Sequence, residues 1–463
     1  MDPEKAKRRQ SLKVIISEAI MVITVILTVT ILAFLVSGYW INSNFEVERQ
    51  GLLQVSSIPT GADVSIDGEN PSWLQRTNMS KVLSSGKHAV VLTKDGYDSW
   101  SKTINISEGL LYRLHYPRLF LNDRTKETVL NDINPTVATI SPDHSYLLLT
   151  NNTTDWDFIN LDNENPKTTK IDISKLFSSV DTVDSTEEKL FTGEILDINW
   201  DYDSNHALFK VKSEDTLEWV LLDVKNVKNS INLTKEFGSN FSEIQILDNS
   251  SNNLLAIQNN NLHKINLSNK NLSNVLVENI IDFDHYNGNE VIFSTNNYVG
   301  ILKIGDDKIT KLKDVSTPAK VTLSKFYDDK YITILEDDLV SLYKKDGFTR
   351  LLDFKLSFKP EFIEVGHSGE FITMYSGQNI ATLDMESMAI IEWSVDNENF
   401  GWIDNDMIYA VSNNELIVYD YDGFNRRIIA NNVSDRFPAA ITSDKWLYYF
   451  SDNTLVREWL IEQ

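Results

Sequence analysis

Two hydrophobic patterns divide the chain. The first is a single unbroken run, Ala19 to Ile41 (AIMVITVILTVTILAFLVSGYWI), 23 residues without a charge. At ~1.5 Å of rise per residue this crosses a ~30 Å hydrocarbon core, so a transmembrane helix is predicted over 19–41. Tyr39 and Trp40 stand at its far end, where aromatic rings favour the membrane interface. Lys5, Lys7, Arg8, Arg9 and Lys13 precede it. By the positive-inside rule, residues 1–18 form a cytoplasmic tail and the bulk of the chain is extracytoplasmic. A cleaved signal peptide is the competing reading, but its apolar region spans roughly 7–15 residues and ends at small side chains. The length of this run and its Gly38-Tyr39-Trp40-Ile41 ending favour an uncleaved signal-anchor.

The second pattern begins after a polar linker at 42–50. Leu53, Val55 and Ser57, then Ala62, Val64 and Ile66, alternate as in half-buried strands, with Pro59-Thr60-Gly61 as a turn between them. Gly86-Lys87-His88, the run Ala89 to Leu92, Gly96-Tyr97 and a further alternation from Trp100 to Ile106 follow. Pro59-x-Gly61-Ala62-x-Val64-x-Ile66-Asp67-Gly68, Gly86-x-His88-x-Val90 and Lys94-x-Gly96-Tyr97-x-x-Trp100 together resemble a PEGA domain over 51–117, with Thr60 in place of the usual Glu. Each piece has a structural use. Gly68 and Gly86 suit hairpin positions of positive φ, and Tyr97 and Trp100 enlarge a core that is otherwise small. The resemblance implies a small, non-catalytic β-sandwich of prokaryotic envelope proteins.

From 118 to 463 one unit recurs eight times: a strand, a polar turn, then a second apolar strand. The turns with their second strands start at Ser141, Asp201, Asp248, His285, Phe326, Gly366, Trp402 and Ile441. A third strand follows each, from WDFINLD at Trp156 to LVREWLI at Leu455, and a fourth usually follows that. Four short strands at about 40-residue spacing predict a β-propeller. Eight blades are expected, or seven if one unit is an insertion. The last unit stops after its third strand, and Thr125 to Leu130 is predicted to supply the fourth. Ser141-Pro142-Asp143 resembles the turns of TolB-like bacterial propellers in repeat grammar alone. One spacing is long, 60 residues between Ser141 and Asp201. The excess, Ser174 to Gly193, reads as an inserted loop in which Asp181, Asp184, Glu187 and Glu188 could steer a basic partner and Leu176, Phe177 and Phe191 anchor it.

Charge and composition narrow the function. A net charge of −24 repels phosphate backbones, so no nucleic-acid partner is expected. The absence of cysteine removes disulfides, thiol nucleophiles and thiolate-held metals. None of His88, His115, His144, His206, His263, His285 and His367 forms a ligand-spaced set. Gly366-His367-Ser368-Gly369 reads as a hairpin turn. Asp201-x-Asp203-x-Asn205 imitates a calcium loop but places His206 where Gly is needed and Lys212 where Glu is needed. Asp420-x-Asp422-Gly423 is weaker still. Asp197, Glu243, Asp282, Asp284 and Glu364 fall on expected innermost strands, where they can face a central channel. No catalytic, cofactor or metal residues are assigned. The expected protein is a mainly β, single-pass, extracytoplasmic binding or scaffold protein whose partner is an envelope protein or cell-wall glycan. A surface hydrolase of glycan or peptide and an accessory subunit of an envelope complex are the alternatives.

Overall fold

The computed structural model describes residues 3–36, 39–41, 47–69, 75–183, 188–213, 216–238, 240–247, 252–286, 288–306 and 308–461. The chain is mainly β and divides into two compact units, Met1–Asp123 with Gln463, and Arg124–Glu462.

In the first unit one helix spans Pro3–Val36, and its Ile16–Ala33 stretch is long and apolar enough to cross a membrane. The side chains of this stretch are all exposed. Thr24, Thr28 and Thr30 donate their hydroxyls to the carbonyls of Ile20, Thr24 and Ile26, each at 2.8 Å, so these three hydroxyls are satisfied within the helix. The helix ends before the predicted limit of 41. Tyr39–Ile41 is instead a strand, with Tyr39 opposite Arg49 and Ile41 opposite Val47. Tyr, Trp and Ile are strong strand formers, and the stretch before them already suffices to cross. The partner strand starts at Val47, inside the predicted linker.

Two sheets complete this unit. Val47–Val55 pairs with Tyr39–Ile41 and Met79–Ser84, and Leu111–Leu114 runs parallel to it. Asp63–Ile66, Gly86–Thr93 and Trp100–Ile106 make the other. Leu53, Val55, Ala62, Val64, Val90, Leu92 and Trp100 are fully buried. Gly61 has φ +78°, as its turn requires. The unit runs on past 117: Leu119 N–H bonds the Ile58 carbonyl and Asn122 N–H that of Gly96.

Among the described residues the second unit holds eight four-stranded antiparallel sheets in sequence order. Their first strands are Val137–Ile140, Glu194–Trp200, Glu243–Ile246, Ile280–His285, Ala319–Phe326, Phe362–Val365, Phe400–Trp402 and Ala440–Thr442. Second and third strands, such as Tyr146–Thr150 and Glu415–Asp420, are buried along most of their length, whereas fourth strands such as Lys308–Asp314 are largely exposed. Burial on both faces explains why the inner strands read as continuous apolar runs. Apolar clusters join successive sheets from the first up to the seventh, and the eighth to the first. Ile441 N–H bonds the Ile403 carbonyl between the seventh and eighth. The fourth strand of the eighth sheet is Lys126–Leu130, paired with Thr454–Trp459, as the sequence led us to expect. Arg457 binds Glu127 at 2.7 Å and lies 3.8 Å over the Trp446 ring.

The segment read as an inserted loop is built into the core. Val180–Val183 and Glu188–Phe191 form a hairpin. Phe177 and Phe191 are buried against each other and against Trp156, with ring centroids 5.2 Å apart in each pair. The buried Glu218 carboxylate accepts the Ser178 N–H, the Ser179 hydroxyl and the Asn232 amide. Phe177 and Phe191 are therefore not available as anchors for a partner. Asp181 is exposed, while Asp184 and Glu187 lie outside the described residues.

Candidate functional site

The turns between first and second strands gather at one cavity of the second unit, so their local chemistry comes first. In Ser141-Pro142-Asp143-His144, Asp143 accepts the Ser141 hydroxyl at 2.6 Å and the Ser145 N–H at 3.0 Å, and His144 adopts φ +58°. Asp201 accepts the N–H groups of Asn205 and His206 and the His206 Nδ1 at 2.7 Å. Its carboxylate is occupied by its own turn, which answers the calcium-loop likeness. Asp420 and Asp422 likewise serve a turn: Asp420 accepts the Asn425 amide and Asp422 the Phe424 N–H. In Gly366-His367-Ser368-Gly369 the Ser368 hydroxyl accepts the Glu370 N–H, as in a simple turn. Gly369, at φ +73°, is pressed against the fifth sheet, and a Cβ there would lie 2.0 Å from the Lys325 carbonyl.

The cavity has a volume of about 830 Å³. It is lined by first strands and turns of the first, second, fourth, fifth, sixth and seventh sheets, with Tyr409 of a second strand and the segment 436–439 before the eighth sheet. Among the described residues its carboxylates are Asp284, Glu364 and Asp404, and its one Lys or Arg is Arg436. Three aromatic side chains from the second, fourth and sixth sheets meet here. Tyr202 stacks on His367 with centroids 5.0 Å apart and meets Tyr286 edge-on at 6.1 Å. Burial raises the Tyr202 hydroxyl pKa, and Tyr286 adds to it. Trp200 and Trp402 also line the cavity, the Trp200 indole N–H donating to the Thr139 hydroxyl at 3.0 Å.

The three carboxylates differ in what holds them. Asp284 accepts the Thr322 hydroxyl at 2.5 Å and the N–H groups of Leu323 and His285. Asp404 accepts the N–H groups of Asp406 and Met407. Glu364, by contrast, meets no donor or cation among the described residues. Its side chain is open to cavity water, yet protein surrounds it, and burial alone pushes its pKa up to about 6. Tyr375 and Tyr409 are pushed up to about 12, chiefly by burial and further by the Glu364 charge. His144 is lowered, mainly by burial, so it is neutral at pH 7.

Of the five carboxylates expected on innermost strands, the structure brings Asp284 and Glu364 to the cavity wall. Asp282 accepts the Val321 N–H at 2.8 Å, and burial raises it to about 6. Glu243 pairs with Lys210 at 3.6 Å. Asp197 accepts its neighbours Ile198 N–H and the Asn199 amide. The aromatic cluster was missed from the sequence. Its signal is positional, since Tyr202, Tyr286 and His367 lie just past the ends of their first strands. Elsewhere, His88 bridges Asp67 at 2.6 Å and the Ser84 carbonyl at 2.8 Å, and His263 meets the Ser273 carbonyl; both serve the fold.

The PEGA domain family model matches residues 50–117. No curated protein matches the chain, and the comparisons show no specific TolB-like family. Solved structures that resemble it include Kluyveromyces lactis Hsv2, 11% identical with a TM-score of 0.42, covering 62% of this chain and 93% of that one. Others are a chain of a mitotic checkpoint complex (8%, TM-score 0.39, covering 57% and 86%) and the dihydro-heme d1 dehydrogenase NirN (10%, TM-score 0.41, covering 63% and 65%).

Proposed function

We propose that the chain is a single-pass, membrane-anchored binding or scaffold protein of a bacterial envelope, without catalytic activity. Its N-terminus is cytoplasmic and its two β units are extracytoplasmic, the second an eight-bladed β-propeller. The observation that carries this reading is the PEGA match at 50–117 directly following an apolar helix of membrane-crossing length. Support for the propeller comes from the succession of eight four-stranded sheets and from the strand that the start of the unit lends to its last sheet. Support for binding over catalysis comes from the turns: Ser368, Asp201 and Asp420 are each engaged in local hydrogen bonds. The partner is an envelope protein or wall glycan.

Protease added to spheroplasts of cells making the full chain should degrade everything beyond residue 42. Incubation of the purified protein with cell-wall material or candidate envelope proteins should give binding without release of glycan or peptide fragments. Protection of the β units would reverse the orientation, and fragment release would favour the hydrolase reading.

A further inference from the structure

The cavity combines three features that ask for one kind of ligand. Its volume, about 830 Å³, lies within the range of small-molecule sites, roughly 300–1,000 Å³. Its wall carries three carboxylates and one Arg, and one carboxylate, Glu364, has neither hydrogen-bond donor nor cation from the protein among the described residues. A charged group held in protein without a partner is costly; a cation arriving in the cavity removes that cost. The same cavity wall carries Tyr202, Tyr286, Trp200 and Trp402, with aliphatic side chains such as Ile140 and Leu323. Tyr and Trp rings attract cations through their faces, and the aliphatic groups favour an uncharged body beside the charge.

We propose that this cavity binds a small organic cation, an amine or ammonium group on an apolar body, with the charge on Glu364 and the body against the aromatic side chains. This rests on reading the second unit as a binding module and names the ligand class that module takes. A neutral sugar does not use the lone carboxylate's charge. An anion meets Asp284, Glu364 and Asp404. A bare metal ion leaves the aromatic wall unused.

The test uses the full chain in mild detergent and isothermal titration with two matched probes, phenethylamine and 2-phenylethanol, which share a body and differ in charge. The amine should bind saturably at one site and the alcohol roughly tenfold or more weakly. Glu364→Gln should weaken the amine roughly tenfold or more, since the charge pair between amine and carboxylate is lost, and leave the alcohol unchanged. Tyr202→Ala should weaken the amine about three- to fivefold. One charge among so many acidic groups barely alters diffuse attraction to the surface, so the Glu364→Gln effect separates site binding from general polycation attraction. The two-probe comparison in the unaltered protein stands even if a variant folds poorly. Equal binding of amine and alcohol, no saturable amine binding at millimolar concentration, full amine affinity in folded Glu364→Gln, or saturation by calcium in place of the amine would each overturn the proposal. Loss of wall or envelope-protein binding, with amine binding intact, would count against the function proposed above and not against this cavity.

Discussion

A carboxylate that waits for a ligand should weaken the empty protein, and the size of that effect follows from the structure. Glu364 has an ordinary pKa of 4.5 and is held at about 6. The folded state therefore binds the proton more tightly than the unfolded one. Stability falls as pH rises from about 4.5 through about 6 and is flat above that window. The full displacement corresponds to ~2 kcal/mol. Cavity water reaches the side chain and screens it, which leaves ~1 kcal/mol at neutral pH. Glu364→Gln keeps the shape and removes the charge, so the variant should be the more stable protein at pH 7.5. For a unit of this size ~1 kcal/mol raises the melting temperature by about 2 °C. Calorimetry of the full chain in detergent, on both proteins at pH 7.5 and pH 4, reads the difference directly, because the other titrating groups cancel. At pH 4 both side chains are neutral and the gain should vanish. A destabilised variant, or a gain equal at the two pH values, would refute the assignment of an unpartnered, burial-strained carboxylate.

Two further outcomes follow from packing. Phe177→Ala and Phe191→Ala should each cost about 3–5 kcal/mol in chemical denaturation, because both rings are buried around Trp156; values near zero would return the segment to a dispensable loop. Arg457→Ala should cost ~2–3 kcal/mol, since Arg457 ties Glu127 to the last sheet, reaches the Glu164 carbonyl at 2.8 Å and covers Trp446. An unchanged denaturation midpoint would mean that the strand Lys126–Leu130 is held by its ladder alone.

What the sequence made legible was local. Each second strand announced by a polar turn, such as Leu147 to Leu149 after the Ser141 turn, became the second strand of a four-stranded sheet. Lys126–Leu130 was found because the last unit lacked a fourth strand and an unpaired edge has a cost. Failures came where distance in sequence hid contact in space. Ser174 to Gly193 looked polar on average, yet the fate of Phe177 and Phe191 was decided by Trp156 and Phe209, which only folding brings near. Tyr39–Ile41 satisfied the apolar count for a membrane span, but its β-branched and aromatic residues found a strand partner at Val47 to Arg49. Tyr202 and His367 are separated by three sheets in chain order, and nothing local in either turn records that they stack.

The carboxylates on first strands teach a finer point. All five could be placed on inner strands by period alone, but only their surroundings distinguish them. Asp284 is fixed by three donors and Asp282 by the Val321 N–H, so both hold neighbouring sheets together: they accept from Thr322, Leu323 and Val321 of the fifth sheet. Asp404, outside these five and in the turn after Phe400–Trp402, shapes its own turn. Glu364 does neither, and a group that strains the empty fold without bonding anything in it has no structural reason to be charged. The same residue type thus divides into stitching, turn-making and unpartnered members, and neutralising the unpartnered one removes a buried charge without costing a bond between it and the described residues. Asp284→Asn should loosen the fourth sheet from the fifth, whereas Glu364→Gln should tighten the unit it sits in. The sign of the effect, read in one pair of melting curves, separates an acid that builds the protein from one that faces what the protein binds.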